Sequence, residues 1–201
     1  MTAFFFVSNI FSMINRIETE LKLELSEREF KLCQEKLLTL GCPKVKESAL
    51  VDYFFDIEKF DDKGFNFTRI RVYNDSDYEQ TKKTWKLNDR GERIREEEEL
   101  ASSENQLADR LKSDKYFKAE KTRVDYKGEM LNFPCTFSFD KIVFPDETRY
   151  FMEAELDGVP AEQSESIRVE IKNWLLATFN LSDRPEGIGM MKLILTKAGM
   201  A

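Results

Sequence analysis

Like charges stand two residues apart in one strand-like stretch after another: Glu18 and Glu20, Arg69 and Arg71, Lys121 and Arg123, Glu153 and Glu155. Residues two apart on a β-strand point to the same side. Each pair therefore sets two like charges side by side on one face, and the pairs are sorted by sign. A face that simply meets water gains nothing from such sorting, because neighbouring like charges on a sheet repel. Acidic strands facing basic strands around a shared space is the arrangement this pattern favours. Closing the sheet into a barrel turns the charged face into a lumen and removes the edges. The apolar faces then point outward, against helices.

The elements follow from periodicity. Residues 17–25, IETELKLEL, alternate apolar and charged positions as a strand does. Ser26 with Glu29 three residues on forms a capping box for a helix that runs to about Thr39, where Gly41-Cys42-Pro43 stops it. Strands are expected at 49–56, 67–73 and 81–87. Segment 92–100 is charged throughout and reads equally as strand or helix. Ser103 with Gln106 opens a second helix ending near Phe117. Strands follow at 118–126, 131–144 and 149–156, and a third helix over 161–179 carries Ile167, Ile171, Trp174, Leu175 and Phe179 on its apolar stripe. A last short apolar element lies at 190–196. Nothing in the chain suggests a repeat or an internal linker. The fold class read from this is α+β: a closed antiparallel barrel of about eight strands with helices packed outside.

At 201 residues the chain is long enough for one core. Residues 17–201 read as a single domain. Residues 1–16 read as an N-terminal extension, with Met13 as an alternative start. That extension is apolar, but it lacks a basic leader and is too short to span a bilayer. The three cysteines, Cys33, Cys42 and Cys135, are odd in number and form no C-x-x-C pair, which suits packed thiols and a cytoplasmic location.

The chain contains no histidine. Ser-His-Asp and Cys-His catalysis and His-ligated zinc are therefore excluded. Any metal must sit on carboxylates, which favours a hard cation such as Mg²⁺ or Mn²⁺. The formal net charge of −7 gives no global field for nucleic acid. Glutamates converging on one side hold a divalent cation, and lysines and arginines on the other hold a polyanion. A metal triphosphate satisfies both sides at once. Phe65, Phe67, Tyr73 and Trp85 could give the organic end of a substrate a stacking face, or could simply pack.

The order of motifs resembles one family. IETELK, then VDYFFD, FTRIRVY, TWK, RIREEEE, EKTRVDY, FSFD, FMEAELD and MMKLIL are similar, element by element, to the CYTH domain of the triphosphate tunnel metalloenzymes, over about residues 17–196. The apolar N-terminus and the GMMKLIL ending depart from its usual pattern.

The resemblance implies that Glu18, Glu20, Glu153 and Glu155 ligate metal. Glu97 and Glu99 join them in the acidic strand, whose register leaves Glu96 and Glu98 as the other choice. It implies that Lys22, Arg69, Arg71, Lys86, Arg123 and Lys192 grip phosphate, with Lys121 as an added contact. Asp140 orients basic side chains. Glu18, Glu20, Lys22 and Lys86 would then be the catalytic set. The implied activity is divalent-metal-dependent triphosphate hydrolysis, on inorganic, nucleoside or thiamine triphosphate. The alternatives are adenylyl cyclisation to cyclic AMP and pyrophosphate, or binding without catalysis. The expected partner is a small triphosphate, with neither nucleic acid nor membrane, and a homodimer is compatible with the chain.

Overall fold

A computed structural model describes residues 19–61, 64–87, 93–144, 146–160, 163–187, 193 and 195–196. Its strands are β1 (Thr19–Leu25), β2 (Lys44–Asp61), β3 (Gly64–Tyr73), β4 (Asp77–Leu87), β5 (Arg93–Ala101), β6 (Phe117–Met130), β7 (Phe133–Val143) and β8 (Thr148–Leu156). Its helices are α1 (Glu27–Thr39), α2 (Glu104–Ser113) and α3 (Ser164–Phe179). The strands form one eight-stranded sheet in the order β1-β8-β7-β6-β2-β3-β4-β5. All seven pairings are antiparallel. The α+β class, the strand number and the outer helices agree with the sequence reading, and the charged segment that left strand and helix open resolves as a strand over Arg93–Ala101.

The capping signals do what their chemistry allows. Ser26 and Glu29 form the reciprocal box that starts α1, and the Ser103 hydroxyl accepts from the Gln106 N–H at the start of α2. The β6–β7 hairpin turns on Leu131 and Asn132, both in the left-handed region, as a two-residue primed turn demands. In β2 the register shifts between Phe55 and Glu58. Asp56 adopts a positive φ at this irregularity, and its carboxylate accepts from Arg110 of α2 at 2.7 Å.

Two cores lie on the outer face. Leu21, Leu23, Phe137, Phe139, Met152 and Ala154 of the sheet pack against Phe30, Cys33 and Leu37 of α1 and Ile167, Ile171 and Leu175 of α3. Phe55, Ile70 and Val72 pack against Leu107 of α2. All three cysteines are buried and free, and burial pushes the Cys33 and Cys135 thiols up to about 12. They behave as packing groups. Among the described residues, no helix is long and apolar enough to cross a membrane.

The ladder runs unbroken from β1 to β5, and among the described residues no backbone pairing joins those two strands to each other. The outer edge of β1 is met by the segment after α3: the Gly187 N–H donates to the Lys22 carbonyl at 2.7 Å. A side chain at 187 would meet Lys22 Cγ at 3.1 Å, so the close approach suits glycine. Arg184 clamps the same segment, donating to the Glu24 carbonyl and to both carboxylate oxygens of Glu29. The last element, read from sequence only as a short apolar run, is helical at Leu193, Leu195 and Thr196. A short apolar run does not distinguish strand from helix by periodicity.

Candidate functional site

Strand pairing sets which side chains share the inner face, opposite the helices. Lys22 of β1 stands directly across from Glu153 of β8, and Glu20 from Glu155. Asp52 of β2 faces Arg71 of β3, Arg123 of β6 faces Asp140 of β7, and Arg69 faces Thr81 of β4. The two-residue period then carries the same face along each strand.

These groups form a chain of alternating sign. Arg71 donates to both carboxylate oxygens of Asp52, at 2.6 and 2.9 Å. Lys121 Nζ lies 3.9 Å from Asp52 and 3.1 Å from Asp140. Arg123 donates to both oxygens of Asp140, each at 2.7 Å, and reaches across β7 to Glu153 at 3.1 Å. Glu153 closes the run on Lys22 at 3.0 Å. The sequence Arg71–Asp52–Lys121–Asp140–Arg123–Glu153–Lys22 holds four cations and three carboxylates. It is mostly out of water, with the side chains of Asp52, Lys121 and Asp140 at most 3% exposed.

The electrostatics follow. Burial alone would raise the carboxyl of Asp52, yet the Arg71 hydrogen bonds and the nearby cations bring it down to about 2. Burial opposes ionisation of Asp140 too, and Lys121, Arg123 and Lys22 overcome it, holding it well below the usual carboxylate range. Glu153 is pushed up by burial and pulled down further by Lys22, a hydrogen bond with Glu20, and Arg123. For Lys121 burial wins: it falls to about 8, against the pull of Asp140 and Asp52. Lys22 moves the other way, because Glu153, Asp140 and Glu20 outweigh its burial.

Arg69 donates to Glu79 at 3.1 Å and to Thr81 Oγ1 at 2.8 Å. Its Nε–H is buried without a partner, as is the Ser48 hydroxyl on the same face of β2. Leaving a buried donor unpaired costs on the order of 1–3 kcal/mol, and an anion seated against this wall would take up that donor.

The expected residues divide into three groups. Lys22, Glu20, Arg69, Arg71, Lys121, Arg123, Asp140, Glu153 and Glu155 share the inner face. Glu97 and Glu99 share it as well: Glu97 pairs across the ladder with Lys83, and Glu99 with Thr81. Lys86 does not. An unbroken register through β4 puts it on the opposite face with Thr84, half exposed and paired with Glu96. The inner lysine of β4 is Lys83, 2.8 Å from Glu97. Lys121 lies between two carboxylates, those of Asp52 and Asp140. Glu18 and Lys192 lie outside the described residues.

Sequence reasoning missed Asp52, Lys83 and Glu79. Asp52 had one available signal, a lone acid among the apolar residues of VDYFF. Phe65 and Phe67 do sit on the inner face, but they pack against Phe54, Ala119 and Leu195. Of the four aromatic candidates, Tyr73 lies at the other end of the face, beside Lys46 and hydrogen-bonded to Glu79 at 2.9 Å.

The donor set available for a metal is all oxygen. Glu20 lies opposite Glu155 and within hydrogen-bonding reach of Glu153. Facing carboxylates suit a hard divalent cation between them. Among the described residues, no three carboxylates come together as a complete metal-holding group.

Fold and face together define an α+β protein whose antiparallel sheet carries a buried, sign-alternating wall on the side away from its helices. The family model of the CYTH domain matches residues 16–176, and the chain belongs to that family. Solved structures share the fold. The PH1012 protein of Pyrococcus horikoshii OT3 superposes with a TM-score of 0.62 at 17% identity, covering 89% of this chain and 99% of that one. A conserved hypothetical protein of Pyrococcus furiosus gives 0.61 at 17% identity, with the same coverage. HpAC1 of Hippeastrum, an adenylyl cyclase homologue described as having a dominant triphosphatase activity, gives 0.55 at 17% identity and covers 92% and 97% of the two chains. The comparison with curated proteins finds no match.

Proposed function

We propose that the chain hydrolyses a triphosphate substrate with a divalent cation, Mg²⁺ or Mn²⁺. The observation that carries this is the wall of cations, Lys22, Arg69, Arg71, Lys121 and Arg123, braced by the buried carboxylates Asp52 and Asp140. Guanidiniums locked by bidentate pairs keep their remaining N–H groups in fixed directions. They are then ready to meet phosphate oxygens without reorganising. Arg69, with its unpartnered Nε–H, and Arg71 and Arg123 would hold the phosphate chain, and Lys22 would neutralise a neighbouring oxygen. Glu20, Glu153 and Glu155 would hold the cation, which supplies charge neutralisation and a more acidic bound water. No covalent nucleophile is needed. The fold shared with Hippeastrum HpAC1, described as having a dominant triphosphatase activity, supports the class of reaction.

The test is a product assay on ATP, inorganic triphosphate and thiamine triphosphate, each with Mg²⁺ and with Mn²⁺. Orthophosphate release is expected. Cyclic AMP with pyrophosphate from ATP would instead identify a cyclase, and tight binding without turnover in either metal would identify a binding module.

A further inference from the structure

Three arginines of the wall each meet a carboxylate, but they are held unequally. Asp52 takes two donors from Arg71, and Asp140 takes two from Arg123. Arg69 reaches its carboxylate through one nitrogen: Nη2 donates to Glu79 Oε1 at 3.1 Å and to Thr81 Oγ1 at 2.8 Å. The strand on its other side offers Phe54 at the paired position, and a phenyl ring has no acceptor to match a carboxylate. The Arg69 Nε–H is left buried and unpartnered. Glu79 is itself pinned. The Tyr73 hydroxyl donates to its second oxygen, Oε2, at 2.9 Å, and Lys46 Nζ stands 4.7 Å from the centre of the Tyr73 ring. Arg71 lies directly across the ladder from Glu79. Burial raises the Glu79 carboxyl, but the Tyr73 hydrogen bond and the Arg69 and Arg71 charges outweigh it and bring the group below its usual value. A fixed negative charge thus stands on the wall that would seat a polyanion, where Coulomb repulsion alone would weaken binding.

We infer that Glu79 is a positioning residue: held by Tyr73, it fixes the Arg69 guanidinium with its Nε–H toward the substrate, and so strengthens phosphate binding despite its own charge. The inference rests on the triphosphate reading above and goes beyond it in giving Glu79 and Tyr73 a part. An arginine free to swing loses rotamer freedom when it meets a phosphate, and one already held loses less. Glu79 acts through Arg69, and the Tyr73 hydroxyl acts through Glu79.

The test is the affinity of the full chain for inorganic triphosphate, measured by calorimetry with and without Mg²⁺. This probe has no organic end to meet the Tyr73 ring. Glu79→Gln keeps the shape and exchanges a charge-assisted hydrogen bond for a neutral one of about half the strength. It is expected to weaken binding about fivefold, by the same factor in both conditions. Tyr73→Phe keeps the ring and drops only the hydroxyl, and is expected to weaken binding about twofold to threefold. In an Arg69→Ala background each substitution is expected to change affinity by less than about twofold, because the group they position is gone. All variants are checked for folding by circular dichroism, and if Glu79→Gln does not fold, Tyr73→Phe carries the same comparison. Unchanged or tighter binding by Glu79→Gln overturns the inference, since the carboxylate then acts by repulsion or not at all. A loss seen only with Mg²⁺ overturns it too, by making Glu79 a metal ligand. A loss undiminished in the Arg69→Ala background shows that Glu79 does not work through Arg69. If the unmodified chain binds no inorganic triphosphate in either condition, the triphosphate reading itself has failed and the role of Glu79 falls with it.

Discussion

Arg71 and Asp52 stand directly opposite each other on adjacent strands and join through two hydrogen bonds, at 2.6 and 2.9 Å, with side chains 9% and 1% exposed. Breaking a buried pair leaves one charge uncompensated, which typically costs about 3–5 kcal/mol. Asp52→Ala is therefore expected to lower unfolding stability by roughly that amount, read as a shift in the urea midpoint. Asp52→Asn keeps the shape and one acceptor. It should lose less stability while still weakening substrate affinity, because Arg71 is no longer held by two ionic bonds.

The two lysines of β4 make opposite predictions. Lys83 shares the charged face and Lys86 does not. Lys83→Ala should lower kcat/KM by roughly tenfold to a hundredfold, in the range of a lost electrostatic donor. Lys86→Ala removes only an exposed ion pair with Glu96, worth at most about 1 kcal/mol, and should leave kcat/KM within about threefold of the unmodified chain. Steady-state kinetics on the pair checks both.

Lys121 sets a basic limb. Burial holds it near 8 in the folded chain, below the 10.5 of an exposed lysine. Between those values the unfolded chain binds the extra proton, so Lys121's contribution makes stability rise with pH across this window. Its charge is lost over the same window, and the wall loses a cation. KM should therefore climb above about pH 8, and Lys121→Met should flatten that limb.

At acid pH the slope has the same sign, because the unfolded chain again binds the extra protons. Asp52 and Glu29 are both held near 2 in the folded chain, below their ordinary values of 3.8 and 4.5. For such depressed acids the stabilisation is complete above the unfolded value and disappears as pH falls through the folded one. Denaturation monitored from pH 5 to pH 2 should show stability dropping progressively across the window from 4.5 to 2. Glu29→Gln, which weakens the clamp on Arg184, should remove part of that drop.

Much of this was readable in the chain because the β-period is short and strict. The two-residue spacing in Arg69/Arg71, Lys121/Arg123 and Glu153/Glu155 settles a shared face without any tertiary information. Lys86 shows where that logic fails. Thr81, Lys82, Lys83 and Lys86 occur in one strand, and only the register set by the β3–β4 turn at Asn74 and Asp75 decides which lysine faces inward. Asp52 was hidden for another reason: a single acid has no period, and its meaning comes from Arg71 across the ladder and Lys121 from the other side. The helical turn at Leu193 and Leu195 was not legible because a short, mostly apolar run fits either state until its partners are known.

The most direct measurement is a crystal structure of the chain soaked with Mg²⁺ and the β,γ-imido analogue of ATP. The account predicts phosphate density against Arg69, Arg71 and Arg123, with metal density beside Glu20 and Glu155. Phosphates bound elsewhere on the molecule, with the Arg71–Asp52 and Arg123–Asp140 face left empty, would contradict it.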